Sequence, residues 1–265
     1  MKVNKIYNEN CLNTMARMED NFIDLTVTSP PYDNLRDYNG YSFDFESIAK
    51  ELYRVTKEGG VVVWIVGDAT IKGSETGTSF KQALFFKEIG FNLHDTMIWN
   101  KQGFSAVGSL KVRYAPVFEY MFIFSKGKLK TFNPIKDRKN KHFNKLISKS
   151  KRQTDGTIKK GKSYVSKEYG QRFNVWDCFP QGNKTNHPAP FPKKLVNDHI
   201  ISWSNKNDLV YDCFMGSGTT AKMAILNNRK YIGSEISKEY CKISKLKKYE
   251  TARTNLLHTN NLDIW

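Results

Sequence analysis

The chain has 265 residues, 39% of them hydrophobic, and carries 42 Lys and Arg against 26 Asp and Glu, a net charge of +16. This is enough chain to bury a full core as one catalytic domain with an insertion. No run of about eighteen apolar residues and no signal-peptide pattern occurs, so a soluble, cytoplasmic protein with no membrane partner is expected. Cys11, Cys178, Cys213 and Cys241 form no Cys-x-x-Cys pair, which argues against a metal centre or a disulfide framework.

In chain order, a short strand is expected at 5–7, then a helical stretch with Leu12, Met15 and Ala16 on one side. A buried strand at 21–27 ends at Pro30-Pro31. From Phe45, the positions Ile48, Ala49, Leu52 and Tyr53 repeat at helical spacing, and Gly59-Gly60 is expected to stop that helix. The β-branched run 61–66 reads as a strand in the middle of a parallel sheet. A helix at 80–90 and strands at 91–100 and 117–124 follow. Phe118, Tyr120, Phe122 and Phe124 alternate to give one aromatic face, expected to pack on a helix.

The excess charge comes next in the chain. Between Lys126 and Arg172 there are sixteen Lys and Arg and three acids, Asp137, Asp155 and Glu168. A lysine-rich run is ordinarily a solvated face or linker. Here Phe132, His142, Phe143, Tyr164, Tyr169 and Phe173 are interleaved with the cations, which favours a phosphate-tracking surface. Beyond it lie a helix at 192–203, a strand at 209–212, a helix at 217–227, a strand at 231–235 and a helix from 237 to about 251. Strands alternating with helices imply an α/β, doubly wound, mostly parallel sheet with ligands at the carboxyl ends of its strands.

Two segments sit at such ends. One strand runs into Thr28-Ser29-Pro30-Pro31-Tyr32, which looks like a clamp for a planar amine, although Pro-Pro-Tyr alone also suits a polyproline turn. Another runs through Asp212 into Cys213-Phe214-Met215-Gly216-Ser217-Gly218-Thr219-Thr220. Its small residues let backbone approach a ligand, and Ser217 can cap a helix whose first amides face it, although a Gly-x-Gly turn also serves as a plain tight turn.

Together and in this order, the two segments resemble those of the S-adenosylmethionine-dependent amino-group DNA methyltransferases in the permuted arrangement called the beta class. In that class the catalytic tetrapeptide precedes the cofactor motif. The resemblance spans nearly the whole chain, and Asp212 to Thr220 fits the family pattern Asp-x-Phe-x-Gly-Ser-Gly-Thr-Thr without departure. It implies a Rossmann-like methyltransferase core. Residues 1–125 would form its catalytic half, 126–180 a basic target-recognition insertion, and 181–265 the cofactor-binding half.

For S-adenosylmethionine the resemblance implies contacts from Thr28, Asp212, Phe214, Gly216, Ser217, Gly218, Thr219 and Thr220, with Asp212 near the methionine amino group. Glu235, at the end of the next strand, is placed to accept paired hydrogen bonds from a ribose. The family's His-Pro-Ala-Pro-Phe-Pro motif falls on His187, Pro188, Pro190 and Phe191; by itself it would read as a proline-rich turn. One departure stands out. Where the family commonly has Gly-Asp after its first strand, this chain has Glu9-Asn10, so an acidic contact to the cofactor is either replaced, with Asn10 able to donate or accept a hydrogen bond, or missing.

An exocyclic amine is a poor nucleophile, so the clamp must position it. The Ser29 hydroxyl and the Pro30 carbonyl would accept its hydrogens, Pro31 would fix the loop, and Tyr32 would stack on the flipped base. Ring-carbon methylation would need an activated cysteine. Cys178 lacks the Pro-Cys order of those enzymes and reads as a structural thiol.

By resemblance, Ser29 directs the reading to cytosine N4, with adenine N6 as the alternative. RNA methylation, protein-glutamine methylation and an inactive DNA-binding module are rival readings. The partners implied are double-stranded DNA, a second copy in a homodimer, and a restriction endonuclease acting on the same site. Phosphate contacts are expected from Lys101, Lys111 and Arg113, and from Arg138, Lys139, Lys151, Arg152, Lys159, Lys160 and Arg172 in the insertion.

Overall fold

The computed structural model describes residues 1–31, 43–103, 110–180 and 191–244. Its first elements are β1 (Lys5–Tyr7), α1 (Cys11–Met15), β2 (Ile23–Thr28), α2 (Phe45–Val55) and β3 (Thr56–Val66). Next come β4 (Thr70–Ile71), β5 (Ser74–Glu75), α3 (Thr78–Glu88), β6 (Phe91–Asn100) and β7 (Phe118–Lys126). Six short strands follow: β8 (Arg138–Lys139), β9 (Leu146–Ile147), β10 (Ser150–Arg152), β11 (Ile158–Lys160), β12 (Tyr164–Val165) and β13 (Tyr169–Gly170). The last are β14 (Val175–Asp177), α4 (Lys193–Trp203), β15 (Leu209–Asp212), α5 (Thr219–Leu226) and β16 (Lys230–Ser234). Residues 238–244 are helical, and the remainder of the helix expected there lies outside the described residues.

The chain divides into two units, Met1–Asn133 with Asn174–Trp265, and Pro134–Phe173. The first holds an eight-stranded sheet in the order β1-β16-β15-β2-β3-β7-β6-β14. All neighbours pair in parallel except β7, which runs against both β3 and β6. The expectation that β3 has parallel strands on both sides is therefore corrected. A continuous apolar run reports burial on both faces and is silent about the direction of the neighbour.

Alternation along β3 divides the core. Val61, Val63 and Ile65 pack with Leu195, Val196 and Ile200 of α4 and Ala221 and Ala224 of α5. Val62, Trp64 and Val66 face the other way, onto Leu52 of α2 and Ala83 and Phe86 of α3. The aromatic face of β7 packs as expected: Phe80 of α3 meets Tyr120 edge-on at 5.4 Å and Phe86 stacks on Phe124 at 4.6 Å.

Helix α2 begins where the Asp44 side chain accepts from the Ser47 amide at 3.2 Å. It does not run to Gly59-Gly60. It ends at Thr56, whose Oγ1 donates to the Leu52 carbonyl at 2.6 Å, and both glycines lie inside β3. Gly59 has φ +80°, and a Cβ on Gly60 would lie 2.9 Å from the Lys57 carbonyl oxygen. The pair lets the strand kink beside β2, where the register shifts.

The chain order reverses between β2 and β15: from β2 the sheet grows one way through β3, and from β15 the other way through β16. Such a reversal opens a crevice at the carboxyl ends of the two strands. Among the described residues no helix is long and apolar enough to cross a membrane.

The second unit is built differently. Its pairs are nested, β8 with β13, β9 with β12 and β10 with β11, so it is one interrupted two-stranded antiparallel ribbon folded back at 154–156. Backbone bonds between the pairs continue the ladder, from the Asn140 amide to the Glu168 carbonyl (2.8 Å) and from the Gly161 amide to the Lys149 carbonyl (2.7 Å). Ser166 is its one buried residue.

Candidate active site

The reversal point places Thr28, the last residue of β2, beside Asp212, the last residue of β15. The Thr28 hydroxyl donates to Asp212 Oδ1 at 2.7 Å. The same oxygen accepts the Phe214 amide at 3.0 Å, and Oδ2 accepts the Thr220 hydroxyl at 2.6 Å. Asp212 is only 2% exposed and has no cationic partner among the described residues. Burial pushes its carboxyl above the ordinary range, against the pull of its three hydrogen bonds.

Ser29, Pro30 and Pro31 leave the sheet directly after Thr28, with Pro30 buried and its two neighbours half-buried. Tyr32 lies outside the described residues, as do His187, Pro188 and Pro190. Phe191 is described and packs, partly buried, against the core ahead of α4.

After Asp212 the loop turns through Gly216 (φ +50°) and Gly218 (φ +84°). Ser217 is buried but does not cap α5. The cap position belongs to Gly218, with no side-chain hydrogen bond. A side-chain cap needs an extended backbone at that residue, and the left-handed turn excludes it. A Cβ on Gly218 would come 2.7 Å from Ser244 Cβ, so glycine is required by space as well as by φ. Thr219 and Thr220 form the buried first turn of α5, and Phe214 sits edge-on to Phe43 at 5.7 Å.

Glu235 follows β16, which pairs with β15, so its carboxylate stands on the adjacent strand end. Its Oε2 accepts the Gly216 amide and its Oε1 the Ser237 amide, both at 2.7 Å. Burial raises this carboxyl too. A carboxylate has about four acceptor positions, so these bonds orient Glu235 and leave acceptor capacity for a ligand. This loop-holding role was not legible beforehand.

Asn10 has a structural post. It is the N-cap of α1, and its Oδ1 accepts the Leu12 amide at 2.9 Å. The neighbouring Glu9 pairs with Arg17 and accepts from the Thr14 hydroxyl. The residue that reaches the Glu235 strand end is Asn8, whose Nδ2 donates to the Glu235 carbonyl at 2.8 Å and the Ile236 carbonyl at 3.0 Å. The signal for it is position: it follows β1, and β1 pairs with β16.

Two buried carboxylates on neighbouring strand ends, with only neutral donors among the described residues, are an acceptor-rich setting around a glycine turn that leaves its backbone open. That donor and acceptor balance fits S-adenosylmethionine, which brings an ammonium, a sulfonium and a ribose diol. Among the described residues no three His, Cys, Asp or Glu side chains are grouped to hold a metal ion. Burial raises the Cys178 thiol above its ordinary value, in keeping with a structural side chain.

The basic residues expected on nucleic acid divide into two sets. Lys101 pairs with Glu119 at 2.5 Å, and Arg113 donates to Thr70 Oγ1 (3.2 Å) and the Gly73 carbonyl (2.8 Å), while Lys111 is exposed. In the ribbon, Arg138 lies over the Phe173 ring and Arg172 pairs with Asp137. Lys139, Lys151, Arg152, Lys159 and Lys160 are exposed.

A carboxyl raised by burial favours the protonated fold. Its contribution is therefore most favourable below the unfolded value, about 3.9 for Asp, and is lost as pH rises through the raised folded value. The stability of the protein relative to Asp212→Asn, measured by urea unfolding, should fall as pH rises above the ordinary aspartate value of about 3.9. A difference independent of pH would contradict the burial of an unpaired charge.

A family model described as DNA methylase matches residues 23–246. The orphan methyltransferase M.BamHII of Bacillus amyloliquefaciens is 62% identical over 240 residues, covering 86% of this chain and 89% of its own length. The PvuII DNA methyltransferase (cytosine-N4-specific) shares the fold with a TM-score of 0.67 at 22% identity, over 92% of this chain and 85% of that one. So does M1.HpyAVI in its SAM complex, with a TM-score of 0.63 at 23% identity, over 92% and 98% of the two chains. Two motifs meeting at the sheet reversal, a family match across most of the chain and a relative at this identity together establish that the chain belongs to the DNA methylase family of N6- and N4-methyltransferases.

Proposed function

We propose that the protein transfers the methyl group of S-adenosylmethionine to the N4 amine of a flipped cytosine in double-stranded DNA. The observation that carries this reading is the Thr28–Asp212 hydrogen bond, which ties the Ser29-Pro30-Pro31 segment to the glycine-rich turn. S-adenosylmethionine, when bound, supplies an electrophilic methyl on a sulfonium. Asp212 and Glu235 provide the negative acceptors for its ammonium and ribose, and Gly216 and Gly218 allow close backbone approach. His187, Pro188, Pro190 and Phe191 complete the cofactor side of the proposal.

The Ser29 hydroxyl and the Pro30 carbonyl accept the two hydrogens of the amine and turn its lone pair toward the methyl, while Pro31 restricts the loop and Tyr32 stacks on the base. The work is positioning and electrostatics without a covalent enzyme intermediate. The target must first leave the duplex, because its amine is otherwise paired.

Cytosine is favoured over adenine by Ser29 and by the fold shared with a cytosine-N4-specific enzyme. Adenine N6 is the second reading, because the same acceptors serve either amine. Modification of this kind accompanies restriction endonucleases. A relative named as an orphan methyltransferase supports modification without a companion endonuclease.

The test is incubation of the purified protein with S-adenosylmethionine and mixed-sequence DNA, followed by nucleoside digestion and mass spectrometry. N4-methylcytosine is expected. N6-methyladenine would replace the target base, and the absence of both would reject DNA amine methylation. For Ser29→Ala, kcat should drop by about 10²–10³, the scale of losing one oriented hydrogen-bonding group at a reacting centre. Calorimetry should show S-adenosylmethionine affinity unchanged. Full turnover in that variant would remove Ser29 from the clamp.

A further inference from the structure

Within the basic ribbon, the outer hairpin β10–β11 is distinct from the base. Two cations near the base are engaged inside the unit: Arg138 stacks on Phe173 and donates to the Gln171 carbonyl at 3.0 Å, and Arg172 pairs with Asp137, whereas Lys139 is exposed there. Lys151, Arg152, Lys159 and Lys160 have no acidic partner among the described residues. Asp155, the single acid of the hairpin, is held in the turn, accepting the Thr157 amide at 2.9 Å and the Thr157 hydroxyl at 2.7 Å.

The pairing register opposes like charges. Lys151 lies directly across from Lys159, an arrangement that destabilises a two-stranded ladder. No core offsets this, because every residue of β10 and β11 is exposed. A solitary two-stranded ribbon is marginal in water. The hairpin thus presents cations to which the described residues offer no anionic partner.

We propose that this hairpin enters the DNA major groove and reads the target sequence. The inference rests on the reading of the protein as a DNA methyltransferase whose basic unit contacts DNA. A major groove about 12 Å wide and 8.5 Å deep admits a two-stranded β-ribbon. From Ser150 to Gln153 each limb advances about 3.3 Å per residue, enough to pass from rim to floor.

The register sets the order of side chains along that depth. Ser150 and Lys160 are farthest from the turn, then Lys151 and Lys159, then Arg152 and Ile158. Gln153 and Thr157 close the ladder next to the turn, joined from the Gln153 amide to the Thr157 carbonyl at 2.8 Å. The lysines therefore fall at the rim, on phosphates, and Arg152 and Gln153 at the floor, on base edges. Arginine pairs in bidentate fashion with guanine O6 and N7, glutamine with adenine N6 and N7, and an exposed Ile158 suits a thymine methyl. Gln153 Nε2 now rests on the Lys151 carbonyl at 3.4 Å, a long contact that it can exchange for a base.

The test uses the full chain with S-adenosylmethionine. Sequencing of methylated mixed-sequence DNA first defines the wild-type recognition sequence. Affinities are then measured for a duplex carrying that sequence and for a scrambled duplex. In Arg152→Ala/Gln153→Ala the ratio of the two affinities should fall at least tenfold, with S-adenosylmethionine affinity unchanged.

In Lys151→Ala/Lys159→Ala both affinities should fall together, and the slope of log affinity against log salt should decrease by about 1.8, two phosphate contacts at about 0.9 each. A preserved affinity ratio in the first variant, or a preserved salt slope in the second, overturns the assignment. Failure of the wild type to methylate any DNA would reject the underlying function, and so is distinguishable from failure of the hairpin assignment.

Discussion

A carboxylate buried with no counter-ion among the described residues holds the chemistry of this molecule in place. Asp212 accepts hydrogen bonds from the last residue of β2, from its own loop and from the first turn of α5. Leaving any of those buried donors or acceptors unpaired would cost about 1–3 kcal/mol, so the three segments are constrained to a common geometry. Because Ser29 follows Thr28 directly, fixing Asp212 also fixes the start of the proposed amine clamp. The negative charge that hydroxyls and an amide stabilise only partly is what a cationic cofactor can complete.

The constraint works because of where the sheet reverses. Thr28 and Asp212 are 184 residues apart in sequence and end adjacent strands. Glu235, one strand further out, takes the Gly216 amide and so holds the far side of the same turn. The order of the two motifs along the chain is therefore immaterial to the site, since parallel strands present their carboxyl ends on one edge whichever comes first. The basic unit contributes no buried core of its own, as suits the electrostatic binding proposed for it.

Much of this was legible in the sequence because it is local. Asp212 to Thr220 carries its glycines at the two left-handed positions, and the apolar runs of β2, β3 and β15 mark strands buried on both faces. What was missed depends on strand pairing distant in sequence or on local backbone geometry that residue types alone do not report. The antiparallel course of β7 beside β3 leaves no trace in Val61–Val66, and Gly59-Gly60 reads as a helix stop although Thr56 ends the helix and the glycines serve a kink against β2. Ser217 suggests a cap until the φ of Gly218 is known. Asn10, which stands where the family commonly has an acid, also caps α1 through its side-chain Oδ1, and Asn8 reaches the Glu235 strand end. The lysine-rich segment gives its charge to a reader of the sequence but not its pairing, since the nested ribbon is defined by register and not by hydrophobic period.

The most direct measurement is a double-mutant cycle on Thr28→Val and Asp212→Asn, reading kcat/KM for DNA methylation with cofactor affinity alongside. If the hydrogen bond between them couples the clamp to the cofactor turn, the double variant should be little worse than the poorer single variant, a clear departure from additivity. Losses that multiply would show the two residues acting independently and would contradict the account.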